Sequence, residues 1–378
     1  MAAQTTCAEE KAVTRLTIVH TESSLGWGGQ EIRILSESQG LIRRGHDVKL
    51  ICAPEARIYS EAKNWGVPAI ALPIAKKRPL GVKVLVEWLK RNRCDVLSAH
   101  SSTDSWLAAL ALLALGRRVR MVRTRHISAP VPRNMLSRWL YTRATARIVT
   151  AGESLRRELI ERNHFAAERI DSVPTGIDAS RFTPGDPAIA RAALKLPQDK
   201  TLVGIVATLR SWKGHRYLIE AVAQLPQSIG LVIVGDGPQR EALEALVDRH
   251  DMRARVRFAG DQRDVVPWLQ ALDIFALPSY ANEGVPQALV QAMLVGLPCV
   301  TTNAGSIAEL AAHESTALVV PARDPGALRD AIDKLAANPD LRKNLGAAAR
   351  RHCSQHLSYE TMLDRMEAIY RQVSGKRG

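Results

Sequence analysis

Short runs of β-branched residues, each followed by a helix-length stretch, recur along the whole chain, and this alternation constrains its fold more than any other feature. Residues 16–20 read as the first strand, Gly26, Gly28 and Gly29 form a turn, and residues 30–44 read as a helix closed by Gly45. Residues 48–52, 67–72, 96–99, 119–123 and 147–150 continue as short buried strands. Pro174, Gly176, Pro184, Gly185 and Pro187 then crowd together, the punctuation of a domain boundary. A second series follows, with strands at 201–208, 231–234, 255–258, 274–277, 298–302 and 317–320 and helices at 217–224 and 239–249. Strands alternating with helices form parallel sheets covered on both faces, and ligands bind in the loops beyond their carboxyl ends. The expectation is a two-lobed α/β protein with a cleft between the lobes.

Composition agrees. The 378 residues leave room for two domains, and 24% charged with 46% hydrophobic residues excludes a disordered or fibrous chain. The five cysteines, Cys7, Cys52, Cys94, Cys299 and Cys353, contain no CxxC pair, which argues against a zinc site or a disulfide framework and fits a reducing compartment. The longest apolar run, residues 106–115, is half of the roughly 20 residues that span a bilayer. The first dozen residues carry Glu9, Glu10 and Lys11 and no apolar h-region. The expected location is the cytoplasm.

Charge is unevenly distributed. The chain carries +14, of which residues 1–175 hold +12. The excess gathers at Lys76, Lys77 and Arg78, at Arg117, Arg118, Arg120, Arg123 and Arg125, and along Arg133, Arg138, Arg143 and Arg147. A one-sided basic field points to an anionic partner: nucleic acid, an anionic membrane face or a phosphorylated substrate. Only 4% of residues are aromatic, and no basic stretch interleaves Phe or Tyr as single-strand stacking platforms do, so nucleic acid is the weakest of the three.

The loops after strands carry the candidate chemistry. Gly26-Trp27-Gly28-Gly29-Gln30-Glu31 lets backbone N–H groups approach an oxyanion at a helix N-terminus, though Glu31 breaks the dinucleotide fingerprint and a plain strand-to-helix turn reads equally well. After the first strand of the second series, Arg210 and Lys213 supply a planar fork and a point charge suited to a diphosphate. Glu283, in Glu283-Gly284-Val285-Pro286-Gln287, precedes an apolar helix, where it either caps the first turn or reaches a ligand. If both were helical, Gln291 would stand about 12 Å further along the axis. His100 and His126 each follow a first-half strand, and equivalent placement marks them more strongly than either alone. Neither a G-x-S-x-G nucleophile nor a D-x-D metal pair occurs.

Together these residues resemble the retaining family 4 glycosyltransferases of the GT-B fold, particularly those of bacterial lipopolysaccharide and envelope glycan assembly. The resemblance runs over residues 15–375. It rests on Gly28, Gly29 and Glu31; on Val173-Pro174-Thr175-Gly176-Ile177-Asp178 with Phe182 and Pro184; on Arg210 with Lys213-Gly214; on Gly235-Asp236-Gly237-Pro238; on Glu283-Gly284; and on Gly296-Leu297-Pro298. It implies two Rossmann-like parallel-sheet domains facing across a cleft. Residues 13–180, joined by a returning C-terminal helix at 357–378, would bind the acceptor, and residues 196–356 the nucleotide-sugar donor. Arg210 and Lys213 would hold the donor diphosphate, Gly29 would contact a phosphate through its N–H, and Glu283 would hold the hexose. His100 and His126 would stand at the reacting centre. Gly28, Glu31, Gly235, Gly284, Val285, Pro286, Gln287 and Gln291 complete the implied donor site. The family's E-x7-E has Gln291 at its second acidic position here, which loosens the choice of nucleotide.

The implied activity is metal-independent transfer of a hexose, most readily from a UDP-sugar, to a hydroxyl of an anionic envelope glycan or glycolipid such as lipopolysaccharide core or O-antigen. It needs no cofactor beyond the nucleotide-sugar co-substrate. Peripheral contact with the cytoplasmic face of an anionic inner membrane goes with it, without nucleic acid. A small soluble acceptor and a catalytically silent nucleotide-sugar-binding module are the competing readings. A Rossmann dehydrogenase is excluded by the missing fingerprint.

Overall fold

The computed structural model describes residues 14–116, 119–281 and 283–375; Cys7, Glu9, Glu10 and Lys11 and the arginines at 117 and 118 lie outside the described residues. The first sheet has seven parallel strands: β1 (Thr17–Glu22), β2 (Asp47–Cys52), β3 (Ala69–Ala71), β4 (Val96–Ala99), β5 (Arg120–Arg125), β6 (Thr145–Thr150) and β7 (Ile170–Ser172), in the order β3-β2-β1-β4-β5-β6-β7. The second has six: β8 (Thr201–Val206), β9 (Ile229–Val234), β10 (Val256–Gly260), β11 (Ile274–Leu277), β12 (Cys299–Thr301) and β13 (Leu318–Val319), in the order β10-β9-β8-β11-β12-β13. Both sheets follow one winding plan, and the expected pair of Rossmann-like domains is present. Every residue of β1, β9 and β11 is buried, as parallel strands covered on both faces must be.

Helices α1 (Gly29–Arg43), α2 (Arg57–Ala62), α3 (Pro79–Arg91), α4 (Ser102–Ala114), α5 (Met135–Trp139) and α6 (Glu153–Glu161) fill the first series. In the second stand α7 (Pro187–Leu194), α8 (His215–Ala223), α9 (Arg240–Arg249), α10 (Val266–Gln270), α11 (Gln287–Val295), α12 (Pro325–Ala337) and α13 (Pro339–His356), followed by α14 (Tyr359–Ser374). Their starts are chemically marked. Asp186, Asp324 and Asn338 accept from first-turn amides of α7, α12 and α13, each of which has proline in its first turn. Ser101 and Asp104 form a reciprocal capping box on α4.

By packing, the described residues form two compact units: one holds those up to residue 124, 134–148 and those from 363 onward, the other those of 125–133 and 149–362. The second has a core running from Ile177 to Leu357 that includes Val203, Ile233, Phe275 and Val300 of its sheet. A Cβ on Gly204 in β8 would lie 2.3 Å from Leu272, so only glycine admits that leucine.

The last helix returns to the first unit, as expected. Leu363, Met366, Ile369, Tyr370 and Val373 of α14 are buried, a helical stripe. The Tyr370 hydroxyl donates to Glu37 at 2.7 Å and lies 3.1 Å from the Ser98 hydroxyl, which can donate to it. Glu367 accepts from Arg44 and pairs with His46, each at 3.1 Å. Just before this helix, within the second unit, Gly176 allows a close pass. A Cβ there would lie 2.5 Å from the Ser358 carbonyl and 2.8 Å from Met362, while Ile177 N–H donates to Leu357 C=O at 3.0 Å.

Candidate active site

In each sheet the strand order reverses at its centre, between β1 and β4 and between β8 and β11. Such switch points open a crevice beyond the carboxyl ends of the strands. The singled-out residues nearly all follow one of these four strands.

In the second unit, β8 runs into Ala207-Thr208-Leu209-Arg210, then a single 3₁₀ turn at Ser211–Lys213. Gly214 ends that turn at φ 79°, and a Cβ on it would lie 2.1 Å from the Pro278 carbonyl. Glycine is therefore required where the loop crosses the end of β11. The Lys213 ammonium donates to Glu283 Oε1 at 2.6 Å; the Glu283 side chain is 4% exposed and that of Lys213 22%. A buried carboxylate with a charge-assisted bond to a partly open ammonium is a fixed pair, worth far more intact than broken. Arg210 is exposed, its guanidinium 5.7 Å from the Trp212 ring centroid.

The neighbouring loop after β9 locks this one in place. Gly235, at φ 132°, would carry a Cβ 2.1 Å from the Ala207 carbonyl. Leu209 N–H donates to Asp236 C=O at 3.0 Å, and Gln239 N–H to Leu209 C=O at 3.1 Å. Behind the loop, His215 is buried, and burial followed by the Lys213 charge pushes its pKa down to about 3. It stays neutral and adds no charge behind the two cations.

Sequence left Glu283 either as a helix cap or as a ligand group. It is not a cap. Helix α11 begins at Gln287, with Pro286 at its N-cap and no side-chain capping bond, and Glu283 is held from other directions. Its carbonyl accepts from Ser306 N–H at 3.4 Å, and a Cβ on Gly305 would lie 2.1 Å from that same carbonyl. Because Glu283 precedes the helix, the axial spacing to Gln291 that assumed both to be helical does not apply. Gln287 and Gln291 are half-buried on successive turns of α11, and Val285 is buried. Gly284 passes close to His126: a Cβ there would lie 2.5 Å from the His126 carbonyl. Val285 N–H donates to Ala151 C=O at 3.2 Å. Packing thus puts His126, with residues 125–133, in the unit that holds Glu283.

In the first unit, the turn after β1 ends at Gly28, the extended N-cap of α1, and Gly29 opens the helix on the exposed side. Glu31 of its first turn is buried. Beneath it lies Glu22, also buried, accepting from Ser24 N–H at 2.7 Å and from the Gln30 side chain. Burial, then the nearby Asp104 and Glu31, hold the Glu22 pKa well above the usual carboxylate range. Asp104 is likewise raised, by burial, although it accepts from Thr21 Oγ1, His100 N–H and Ser101 N–H, each at 2.9 Å.

His100, at the end of β4, meets His20 of β1: His100 Nε2 and His20 Nδ1 are 2.8 Å apart, with the rings stacked at 5.1 Å. Burial lowers the His20 pKa, so one neutral ring donates to the other. Sequence reasoning passed over His20, Glu22 and Asp104. The rule that found His100, a histidine closing a strand, applies equally to His20. The capping spacing Ser101-x-x-Asp104 was likewise readable.

The first part of the chain, residues 27–181, matches the model for Glycosyltransferase Family 4, and residues 187–352 match that for Glycosyl transferases group 1. A D-inositol 3-phosphate glycosyltransferase of Xylanimonas cellulosilytica is 27% identical over 93% of each chain. Two solved structures share the fold over nearly their full lengths. A glycosyltransferase from Rickettsia africae has a TM-score of 0.84 and 20% identity, covering 96% of this chain and 99% of its own. Anabaena Alr3699/HepE, solved with UDP and glucose, has a TM-score of 0.84 and 20% identity, covering 95% and 100%. Only residues 182–186 separate the two matched segments, and with the doubled parallel-sheet plan they make this chain a glycosyltransferase of the GT-B fold.

Proposed function

We propose that the protein is a retaining, metal-independent hexosyltransferase that moves a hexose from a nucleotide-diphosphate sugar, UDP foremost, to a hydroxyl of an anionic envelope glycolipid or glycan. The observation carrying this reading is the Arg210–Lys213–Glu283 arrangement at the β8/β11 switch point. Arg210 and Lys213 supply two cations for the donor diphosphate and for the charge that grows on it as the sugar leaves. Glu283, already bound to Lys213, aligns that ammonium and offers its second oxygen to a hexose hydroxyl. Gly284, Val285, Pro286 and Gln287 lead into α11, where amides and the Gln287 side chain face phosphate or sugar. Gln291 takes the ribose. Gly235 keeps the Arg210 loop in register, and in the other unit the Gly28–Gly29 N–H groups at the start of α1, with Glu31 in the same first turn, form a phosphate-contacting segment.

In the reaction the acceptor hydroxyl oxygen bonds to the anomeric carbon while the bond from that carbon to the phosphate oxygen breaks. Attack from the leaving-group face retains configuration, and the hydroxyl proton passes to the departing phosphate oxygen. His126 and His100 orient the sugar and acceptor hydroxyls. The basic first half supports an acceptor bearing phosphate or carboxylate, with peripheral contact on the cytoplasmic face of an anionic membrane.

A second reading is favoured by the name of the Xylanimonas relative: a small soluble polyol phosphate as acceptor. Both readings share an anionic acceptor. The test is release of nucleoside diphosphate from UDP-, GDP- and ADP-sugars with EDTA present, with extracted envelope glycolipid or inositol phosphate as acceptor. Stimulation by glycolipid supports the first reading and stimulation by inositol phosphate the second. Donor binding without turnover under either acceptor points to a silent binding module, and no donor binding at all overturns the assignment.

A further inference from the structure

The first unit leaves an apolar surface open on its own helices. Met135 and Leu136, adjacent at the start of α5, are 87% and 68% exposed. On α4, Trp106, Leu110 and Leu113 recur at helical spacing, and the two leucines are 41% and 48% exposed. The two helices are joined through their rings: Trp106 and Trp139 stack with centroids 6.0 Å apart and planes 22° from parallel. Trp139 lies one turn from Met135 on the same side of α5.

Cations flank this face. The Lys77 ammonium stands 5.9 Å from the Trp106 centroid and donates to Ser102 at the start of α4 at 3.4 Å. Lys76 and Arg78 beside it are exposed, as are Arg138 and Arg143 beyond Trp139. These are two of the basic clusters that stand out in the sequence, brought to one apolar patch by the packing of α3, α4 and the α5 segment.

We infer that this face docks on an anionic lipid bilayer. Met135 and Leu136 enter the boundary between headgroups and acyl chains, the tryptophan pair sits at headgroup level, and Lys76, Lys77 and Arg138 lie over the lipid phosphates. Exposed apolar side chains beside interfacial tryptophans and cations of one sign are the chemistry of an interfacial surface. A second copy fits poorly, because a two-fold contact would press one basic face against another. RNA would leave Met135 and Leu136 in water. The inference names the surface for the membrane contact in the proposed function and rests on that reading for the purpose of docking.

The test is sedimentation of the full chain with vesicles of phosphatidylglycerol mixed with phosphatidylcholine, and with phosphatidylcholine alone, at low and high salt. Wild type should bind the mixed vesicles and be released by salt. The double variant Met135→Ser/Leu136→Ser should lose about tenfold or more in partitioning, and Lys76→Glu/Arg138→Glu should lose the preference for anionic lipid. Both pairs are exposed, and unchanged melting confirms an intact fold. Binding of the Met135/Leu136 variant equal to wild type overturns the inference, as does equal binding to phosphatidylcholine alone. So does a wild-type dimer that this variant makes monomeric, which would mark the face as a self-association surface. Lipid-free donor hydrolysis, measured on the same samples, is expected to be unchanged in these variants. Vesicle binding without any hydrolysis in wild type would leave docking standing while the transferase reading falls.

Discussion

The two switch points of this molecule solve opposite problems with the same sheet plan. At β1/β4 the groups are buried: His20 and His100 share a hydrogen bond, burial lowers the His20 pKa, and the Glu22 and Asp104 pKa values are raised. At β8/β11 Arg210 is open to solvent and Lys213 forms an ion pair with an almost wholly buried Glu283. One end is a buried, hydrogen-bonded polar cluster. The other sets an open guanidinium beside a buried ion pair. A shared fold therefore says little about chemistry, and the loops after the strands decide it.

The largest effect should come from removing the charged half. Arg210→Ala/Lys213→Ala is expected to lower nucleoside diphosphate release by about 10³-fold or more, as loss of positioned charge stabilisation does. His20→Phe should keep donor binding and lose far less turnover. Equal losses in the two would erase the contrast.

Backbone substitution should separate the two ends next. Gly214→Ala demands a residue at φ 79° and drives a methyl group against Pro278. It is expected to cost about 2 kcal/mol or more in denaturant unfolding and to reduce activity with it. Gly29→Ala, at an exposed helix start, should leave stability nearly unchanged.

Acid should sharpen the comparison further. The His215 pKa falls from the ordinary 6.5 to about 3 on folding, so the native state favours the neutral ring. Its stability is fully present above about pH 6.5 and is lost as pH drops towards 3, with His20 acting in the same direction. His215→Asn should flatten that part of the unfolding profile. Glu22 has the opposite sign: its raised pKa favours folding at low pH and opposes it as pH rises. The stability of Glu22→Gln relative to wild type should therefore increase from acid to neutral pH in denaturant titrations. A difference independent of pH would mean that folding does not shift the Glu22 pKa.

The smallest effect belongs to Tyr370→Phe. It removes a hydroxyl bonded to Glu37 and Ser98, for a loss of about 1–2 kcal/mol by denaturant unfolding.

Sequence made the scaffold plain because its signal is local. Strands such as β4 and β11 fall on the short buried runs at 96–99 and 274–277, and the proline- and glycine-dense stretch falls between β7 and α7. Strand β7 carries no such signal, because Ile170–Ser172 is only three residues long, one buried and two half-buried, too short to show an alternation. The site was legible in its cations and glycines, residue types with few other reasons to stand after a strand. Its pairings were not. Lys213 and Glu283 are 70 positions apart, His20 and His100 are 80 apart, and only the strand order brings each pair together. The same holds for Gly284, whose need for glycine comes from the distant His126 carbonyl.

The returning helix also sets an order of events during synthesis. The described residues from 363 onward belong to the unit that holds β1, and Tyr370 anchors there on Glu37 and Ser98. The first unit emerges from the ribosome early yet cannot close its core until α14 has followed, so its completion waits on synthesis of the second unit. A chain lacking α14 would carry an intact second sheet and a first unit with an open seam where Leu363, Met366, Ile369 and Tyr370 would have packed.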